Sequence, residues 1–155
     1  MKILRVVGLV AVMMLLISLM ATAQEKEIKR SDLPPAVEKT VATESKGATI
    51  RGFAQETENG QINYEAQLMV NGHSKDVAMD ATGAIVEVEE QVAIDSLPVA
   101  VKDGLQLKAG KGKLLKVESI VKHDRLVAYE AQIIKDGKRS EVQVGPDGKP
   151  LDHEE

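Results

Sequence analysis

The sequence predicts an α+β protein of two tandem repeats, each a helix packed on a four-stranded antiparallel meander sheet. Three observations predict it. A Tyr-Glu-Ala-Gln stretch that leads into a turn dipeptide is written twice, as NYEAQLMVNG at 63–72 and AYEAQIIKDG at 128–137. Landmarks recur in the same order around it: Leu33 and Leu97 lie 64 positions apart, while Tyr64 and Tyr129, Gly72 and Gly137, and Gly83 and Gly148 each lie 65 apart. Within each copy a helical period then gives way to a period of two.

The helix comes first in each copy. Leu33, Val37 and Val41 fall at i, i+4 and i+8 and make one apolar stripe. Leu97, Val101 and Leu105 make the equivalent stripe. Pro34 and Pro35 suit a first turn, where a missing N–H costs nothing. Ser31 or Asp32 is expected to cap the first helix, and Asp95 or Ser96 the second. Gly47, and Gly110 or Gly112, should end them. Gly104 stands inside the second helix, where glycine costs about 1 kcal/mol relative to alanine.

Strands follow. Ile62, Tyr64, Ala66, Leu68 and Val70 alternate with Asn63, Glu65, Gln67 and Met69, which gives one apolar face and one largely polar face. Val127, Tyr129, Ala131 and Ile133 repeat the apolar face. Asn71-Gly72 and Asp136-Gly137 read as type I′ hairpin turns, because both positions tolerate positive φ. Earlier strands are expected near 49–55 and 114–121, closed by Glu58-Asn59-Gly60 and His123-Asp124. Val77 with Met79, and Val142 with Val144, mark the next pair of strands. A last strand is expected at Ile85, Val86 and Val88, and at Leu151 in the second copy.

Residues 1–23 read as a signal peptide. Lys2 and Arg5 precede an apolar run of about 15 residues, shorter than the roughly 20 of a spanning helix, and Ala21-Thr22-Ala23 supplies an A-x-A cleavage pattern. The expected organisation is a leader at 1–23, an N-terminal lead at 24–32, a first repeat at 33–90, a linker at 91–96 and a second repeat at 97–155. Export places the protein in the periplasm or outside the cell, with no stable membrane insertion after cleavage. The leader carries two cations and no acid, so its loss moves the net charge from −4 to −6. A mildly acidic chain lacks the clustered cations that phosphate contacts require, so nucleic acid is not an expected partner. With no cysteine, disulfides, Cys-ligated zinc and a thiol nucleophile are excluded.

The Leu-Pro-x-Ala-Val helix start, the hairpin carrying Tyr-Glu-Ala, and the D-x-x-G or P-D-G turn before a final strand resemble PepSY-like domains, in particular the beta-lactamase-inhibitor-like group. The resemblance covers nearly the whole chain after the leader. It implies a non-enzymatic module outside the cytoplasm that binds another protein, with an exported peptidase as the partner class and inhibition or regulation as the role. This chain departs from the beta-lactamase inhibitor in having no disulfides and only three aromatics, Phe53, Tyr64 and Tyr129.

The outward sheet face carries the candidate partner-binding residues: Glu65, Gln67 and Met69 in the first copy and Glu130, Gln132 and Ile134 in the second. Tyr64 and Tyr129 are expected in the core. Glu87, Glu89 and Glu90 read as solvated ends. Lys108, Lys111, Lys113 and Lys116 read as cations suited to a helix C-terminus. His73, His123 and His153 lack zinc-ligand spacing, so no metal and no cofactor is expected. No G-x-S-x-G, H-E-x-x-H or phosphate loop is present, so no catalytic residue is assigned. The alternative to a protein-binding module is a small-ligand or ion-sensing module of the cell envelope.

Overall fold

The computed structural model describes residues 24–58, 60–153 and 155. The expected leader at 1–23, and Asn59 of the first expected turn, lie outside the described residues. The chain runs β1 (Gln24–Ile28), α1 (Pro35–Glu44), β2 (Thr49–Glu58), β3 (Gln61–Val70), β4 (His73–Asp80), β5 (Ile85–Val92), α2 (Val99–Ala109), β6 (Lys113–Lys122), β7 (Arg125–Lys135) and β8 (Lys138–Val144). Short 3-10 turns, Arg30–Asp32 and Ile94–Ser96, lead into the two helices.

All eight strands form one antiparallel sheet in the order β1 to β8. This corrects the expected pair of helix-plus-four-strand repeats. The protein is mostly β, with one continuous sheet and two helices. Three details account for the difference. Residues 24–28 read QEKEI, with a single apolar residue, yet they pair with β2 as its outer neighbour. β5 pairs with β6 over six residue pairs, so the edge that an isolated first unit would leave open is closed by the second half. The strand expected around Leu151 does not form. After β8 the chain turns at Gly145–Gly148, and the backbone N–H of Glu155 donates to the Gln143 side chain at 2.8 Å.

The strand register places both helices on the same face. Ala66 pairs with Val77, Val77 with Val88, Val88 with Val121, and on the β6–β7 side Val117 pairs with Ala131 and Ala131 with Val142. Cross-strand partners share a face, so these residues form two apolar rows, which meet β6 at Val121 and at Val117, on the face that α1 and α2 cover. Val37 and Val41 of α1 pack with Phe53, Ala66, Leu68, Val77 and Met79. Val101, Leu105 and Ala109 of α2 pack with Val117, Ala131, Ile133 and Val144. Tyr64 and Tyr129 flank the two cores, partly buried.

Local chemistry follows the sequence reading at the hairpins. Asn71-Gly72 and Asp136-Gly137 have positive φ at both positions, and so do His123 and Asp124. The helix starts differ. Pro34 and Pro98 occupy the N-cap positions, with no side-chain cap. Asp32 instead accepts the Lys29 N–H at 3.0 Å and closes the preceding 3-10 turn. Pro has no N–H to leave orphaned, so each helix begins one residue after a proline that sets its φ.

Candidate functional site

The face away from the helices carries residues with the opposite parity. One row runs Ala54, Glu65, Ala78, Glu87, Lys122 across β2 to β6. A second runs Gln67, Asp76, Glu89, Ile120, Ala128 across β3 to β7. A third pairs Met69 with Ser74 and runs on from Gln91 through Glu118 and Glu130 to Gln143, the two parts joined where the Ser74 backbone N–H donates to the Gln91 side chain at 3.3 Å. Register shifts leave an extra, unpaired residue, a β-bulge, in four strands: Arg51 in β2, Val86 in β5, Leu115 in β6 and Val127 in β7. Bulges bend a strand and increase its twist. The sheet curls, and residues from all eight strands line a single concavity of about 560 Å³.

Its lining is acidic. Ten carboxylates face two lysines, with Ala78 and Val86 as the apolar members. Small-molecule pockets are usually lined by apolar and aromatic side chains, which this concavity lacks. Glu118 is only 4% exposed. Ser74 Oγ donates to Glu118 Oε1 at 2.9 Å, and Lys116 Nζ lies 2.7 Å from the same oxygen. Lys122 sits between Glu87 at 3.5 Å and Glu155 at 3.4 Å. Gln143, also buried, donates to Glu130 at 2.8 Å. Among the described residues no buried side-chain nitrogen or oxygen lacks a hydrogen-bond partner.

Asp76, Glu89 and Glu118 come from three successive strands, and each brings one carboxylate oxygen within 4.8 Å of the others. Burial pushes the Glu89 carboxyl up to about 8, with further upward pushes from Glu87 beside it and from the Glu130 and Glu118 charges. Its cross-strand partner on β6 is Ile120, which is 1% exposed although it lies on the helix-free face. An apolar neighbour in place of water is the physical source of that desolvation. Burial also raises Asp76, aided by Glu118 and opposed by Lys116. Burial raises Glu65 as well, against the hydrogen bond it accepts from Gln67 at 2.9 Å.

The six residues named from the sequence all fall on this face by register. Glu65, Glu130 and Gln132 line the concavity. Gln67 reaches Glu65, while Met69 and Ile134 are half-buried outside the lining. Phe53 belongs to the α1 core. Sequence reasoning missed Asp76, Glu87, Glu89 and Glu118 as a group. Glu87 and Glu89 read as solvated ends, but with Gln91 they alternate along β5 with Val88 and Val92, and that alternation was the available signal. Lys116, read as a helix-end cation, lies on the concave face and pairs with Glu118.

No family model matches this chain, and no curated protein matches it. Solved structures share its fold. A DUF2874 family protein from Bacteroides ovatus is 20% identical, with 77% of this chain and 84% of that one covered and a TM-score of 0.58. A BLIP-like protein from Bacteroides fragilis is 19% identical, with 77% and 83% covered and a TM-score of 0.55. A protein from Bacteroides eggerthii described as periplasmic is 18% identical, with 77% and 86% covered and a TM-score of 0.61. At these identities the likeness is one of fold, and the fold is BLIP-like. The periplasmic or secreted location expected from the leader agrees with the description of the Bacteroides eggerthii protein.

Proposed function

We propose that this protein is an exported, non-enzymatic binding module that holds a protein partner on the concave face of its sheet. The carrying observation is that all eight strands line one concavity whose walls present ten carboxylates and two lysines. Such a surface attracts Lys- and Arg-bearing segments and disfavours anionic ones. The BLIP-like fold and the PepSY-like sequence features support an exported peptidase as the partner class, with inhibition by occlusion. The test is capture from envelope and secreted extracts by the processed protein, in parallel with a Glu65→Gln/Glu130→Gln/Glu141→Gln variant. The reading expects a peptidase that the variant releases, whose capture weakens with salt, and whose turnover falls on stoichiometric addition of the wild type. Equal capture by both proteins, or none, sinks it.

A second reading, an ion-responsive envelope module, is favoured by the Asp76, Glu89 and Glu118 oxygens. Hard divalent cations take oxygen ligands of this kind. Lys116, 2.7 Å from Glu118, already supplies one positive charge there and weighs against it. A divalent cation that raises the melting temperature of the wild type but not of Asp76→Asn would favour this reading. No shift with calcium, magnesium or manganese would remove it.

A further inference from the structure

β8 is an outer strand of the sheet, with β7 on one side and, among the described residues, no strand on the other. Its counterpart 65 positions earlier, β4, has both sides filled, by β3 and β5. The counterpart of β5 would begin at Pro150, and no strand forms there among the described residues. Backbone direction along the open edge follows from the hairpin. The two-residue Asp136-Gly137 turn makes Lys135 and Lys138 a hydrogen-bonded pair, so Lys138, Ser140, Val142 and Val144 direct their N–H and C=O groups at β7. Arg139 and Glu141 direct theirs outward. Gly145, next in the same alternation, gives its N–H to the Lys149 carbonyl at 2.8 Å. Lys138, Arg139, Ser140 and Glu141 are all exposed. The side chains of Arg139 and Glu141 stand on the concave face, by register with Ile134 and Gln132. Among the described residues neither is in an ion pair within the chain. On the other face, Ala100 and Gly104 of α2 meet Gly148 in the turn that leaves β8. Leu107 extends that stripe three positions past Gly104 and is 79% exposed.

We propose that the open edge of β8 pairs with the β8 edge of a second copy of this chain, antiparallel about a two-fold axis at Ser140. Residues opposite each other in an antiparallel pair have matching backbone direction, so the axis falls on a residue and never between two. Centring on Arg139 or on Glu141 sets that charge against itself. Centring on Ser140 sets Arg139 of each copy opposite Glu141 of the other, with their outward N–H and C=O groups bonded across the axis. Ser140 then meets its own copy in the closely spaced kind of pair, which a small side chain suits. Centring further along meets the Gly145–Lys149 turn at the end of the edge. The opposite edge of the sheet is poorly matched to itself. β1 reads QEKEI, and centring on Glu25, Lys26 or Glu27 sets like charges opposite each other. Net charge permits the approach at β8. Residues 97–155 carry eleven Lys/Arg and ten Asp/Glu, against four and ten for residues 33–90, and strand order puts the more acidic halves at the far ends of the pair. Charged side chains keep an open edge from pairing with arbitrary strands, and the Arg-Ser-Glu order matches its own copy. Pairing joins the two sheets edge to edge and brings the Leu107 flanks of both α2 helices to the junction. It stands or falls separately from the binding role.

Sedimentation velocity of the whole processed protein at low salt tests it. A contact this short belongs to the weak, transient class, so the wild type should pass from monomer to dimer between about 10 μM and 1 mM, and less readily as salt is added. Arg139→Glu and Glu141→Arg each set like charges opposite and should weaken the dimer about tenfold or more. An equal mixture of the two single variants should recover it, because each then meets its complement. The double variant Arg139→Glu/Glu141→Arg should recover it as well. The Arg139 and Glu141 amides of the wild type should exchange more slowly as concentration rises. A wild type that stays monomeric over this range overturns the proposal. A dimer that both single variants keep, a mixture that does not recover, or growth beyond the dimer, the mark of an open head-to-tail contact, overturns it too.

Discussion

Gly104, midway along α2, lies against the carbonyl of Gly148 in the turn that follows β8, and a Cβ at Gly104 would collide with that carbonyl oxygen. Gly148 itself has a φ of +78°, and a Cβ there would collide with the Ala100 carbonyl oxygen in the same way. The two glycines let the turn dock flat on the helix. Helix propensity alone expects Gly104→Ala to gain about 1 kcal/mol. The packing expects the opposite sign, a loss of about 1–3 kcal/mol in urea denaturation. A gain would mean that the turn moves aside at no cost.

Ser74 on β4 donates past β5 to the buried Glu118 on β6. Ser74→Ala leaves Glu118 with Lys116 as its charge partner and removes one hydrogen bond to a charged group, so the expected loss is about 1–2 kcal/mol. Denaturation at fixed pH checks it. An unchanged midpoint would show that Lys116 or water replaces the hydroxyl fully.

The two faces of β3 should respond differently to truncation. Leu68 is 1% exposed beneath α1, so Leu68→Ala should cost about 3 kcal/mol. Glu65→Gln, three residues earlier on the concave face of β3, removes a carboxyl that burial already disfavours as a charge. Its stability at neutral pH should be equal to or above that of the wild type. If Glu65→Gln proves the more damaging change, the two faces are assigned the wrong way round.

The pH dependence of global stability has a definite sign. Glu89, Asp76 and Glu65 are raised in the folded protein, so their contributions are fully present below the ordinary carboxylate range. They are lost as pH rises, for Glu89 by about pH 8. Asp80 and Asp147 are lowered, first by the side-chain hydrogen bonds from Thr82 and Lys149 and then by backbone N–H groups of their turns. Their contributions are present at neutral pH and are lost on acidification. The urea midpoint should therefore peak on the mildly acid side and fall toward pH 8. Glu89→Gln should raise stability at pH 8 by on the order of 1–3 kcal/mol and do little at pH 4. A wild-type midpoint that climbs from pH 5 to 8 contradicts this.

The sequence by itself determined the local elements and their faces. The heptad-like spacing of Val37 with Val41 and of Val101 with Leu105 defined the buried helix stripes. The strict alternation of Tyr64, Ala66 and Leu68 with Glu65 and Gln67 assigned the two sides of β3, because a period of two leaves no other register that buries the apolar set. Asn71-Gly72 and Asp136-Gly137 announced their turns through positive φ. Only the tertiary structure decided how the sheet is joined. The pairing of β5 with β6, and of QEKEI with β2, depends on backbone edges, which look alike whatever side chains they carry. The acidic concavity was decided in the same way. Asp76 and Glu89 are 13 positions apart and Glu118 lies 29 further on, and strand order sets an oxygen of each within 4.8 Å of the others. The upward push on the Asp76 and Glu89 carboxyls arises from lost water and neighbouring charge, which exist only once the strands are assembled around them.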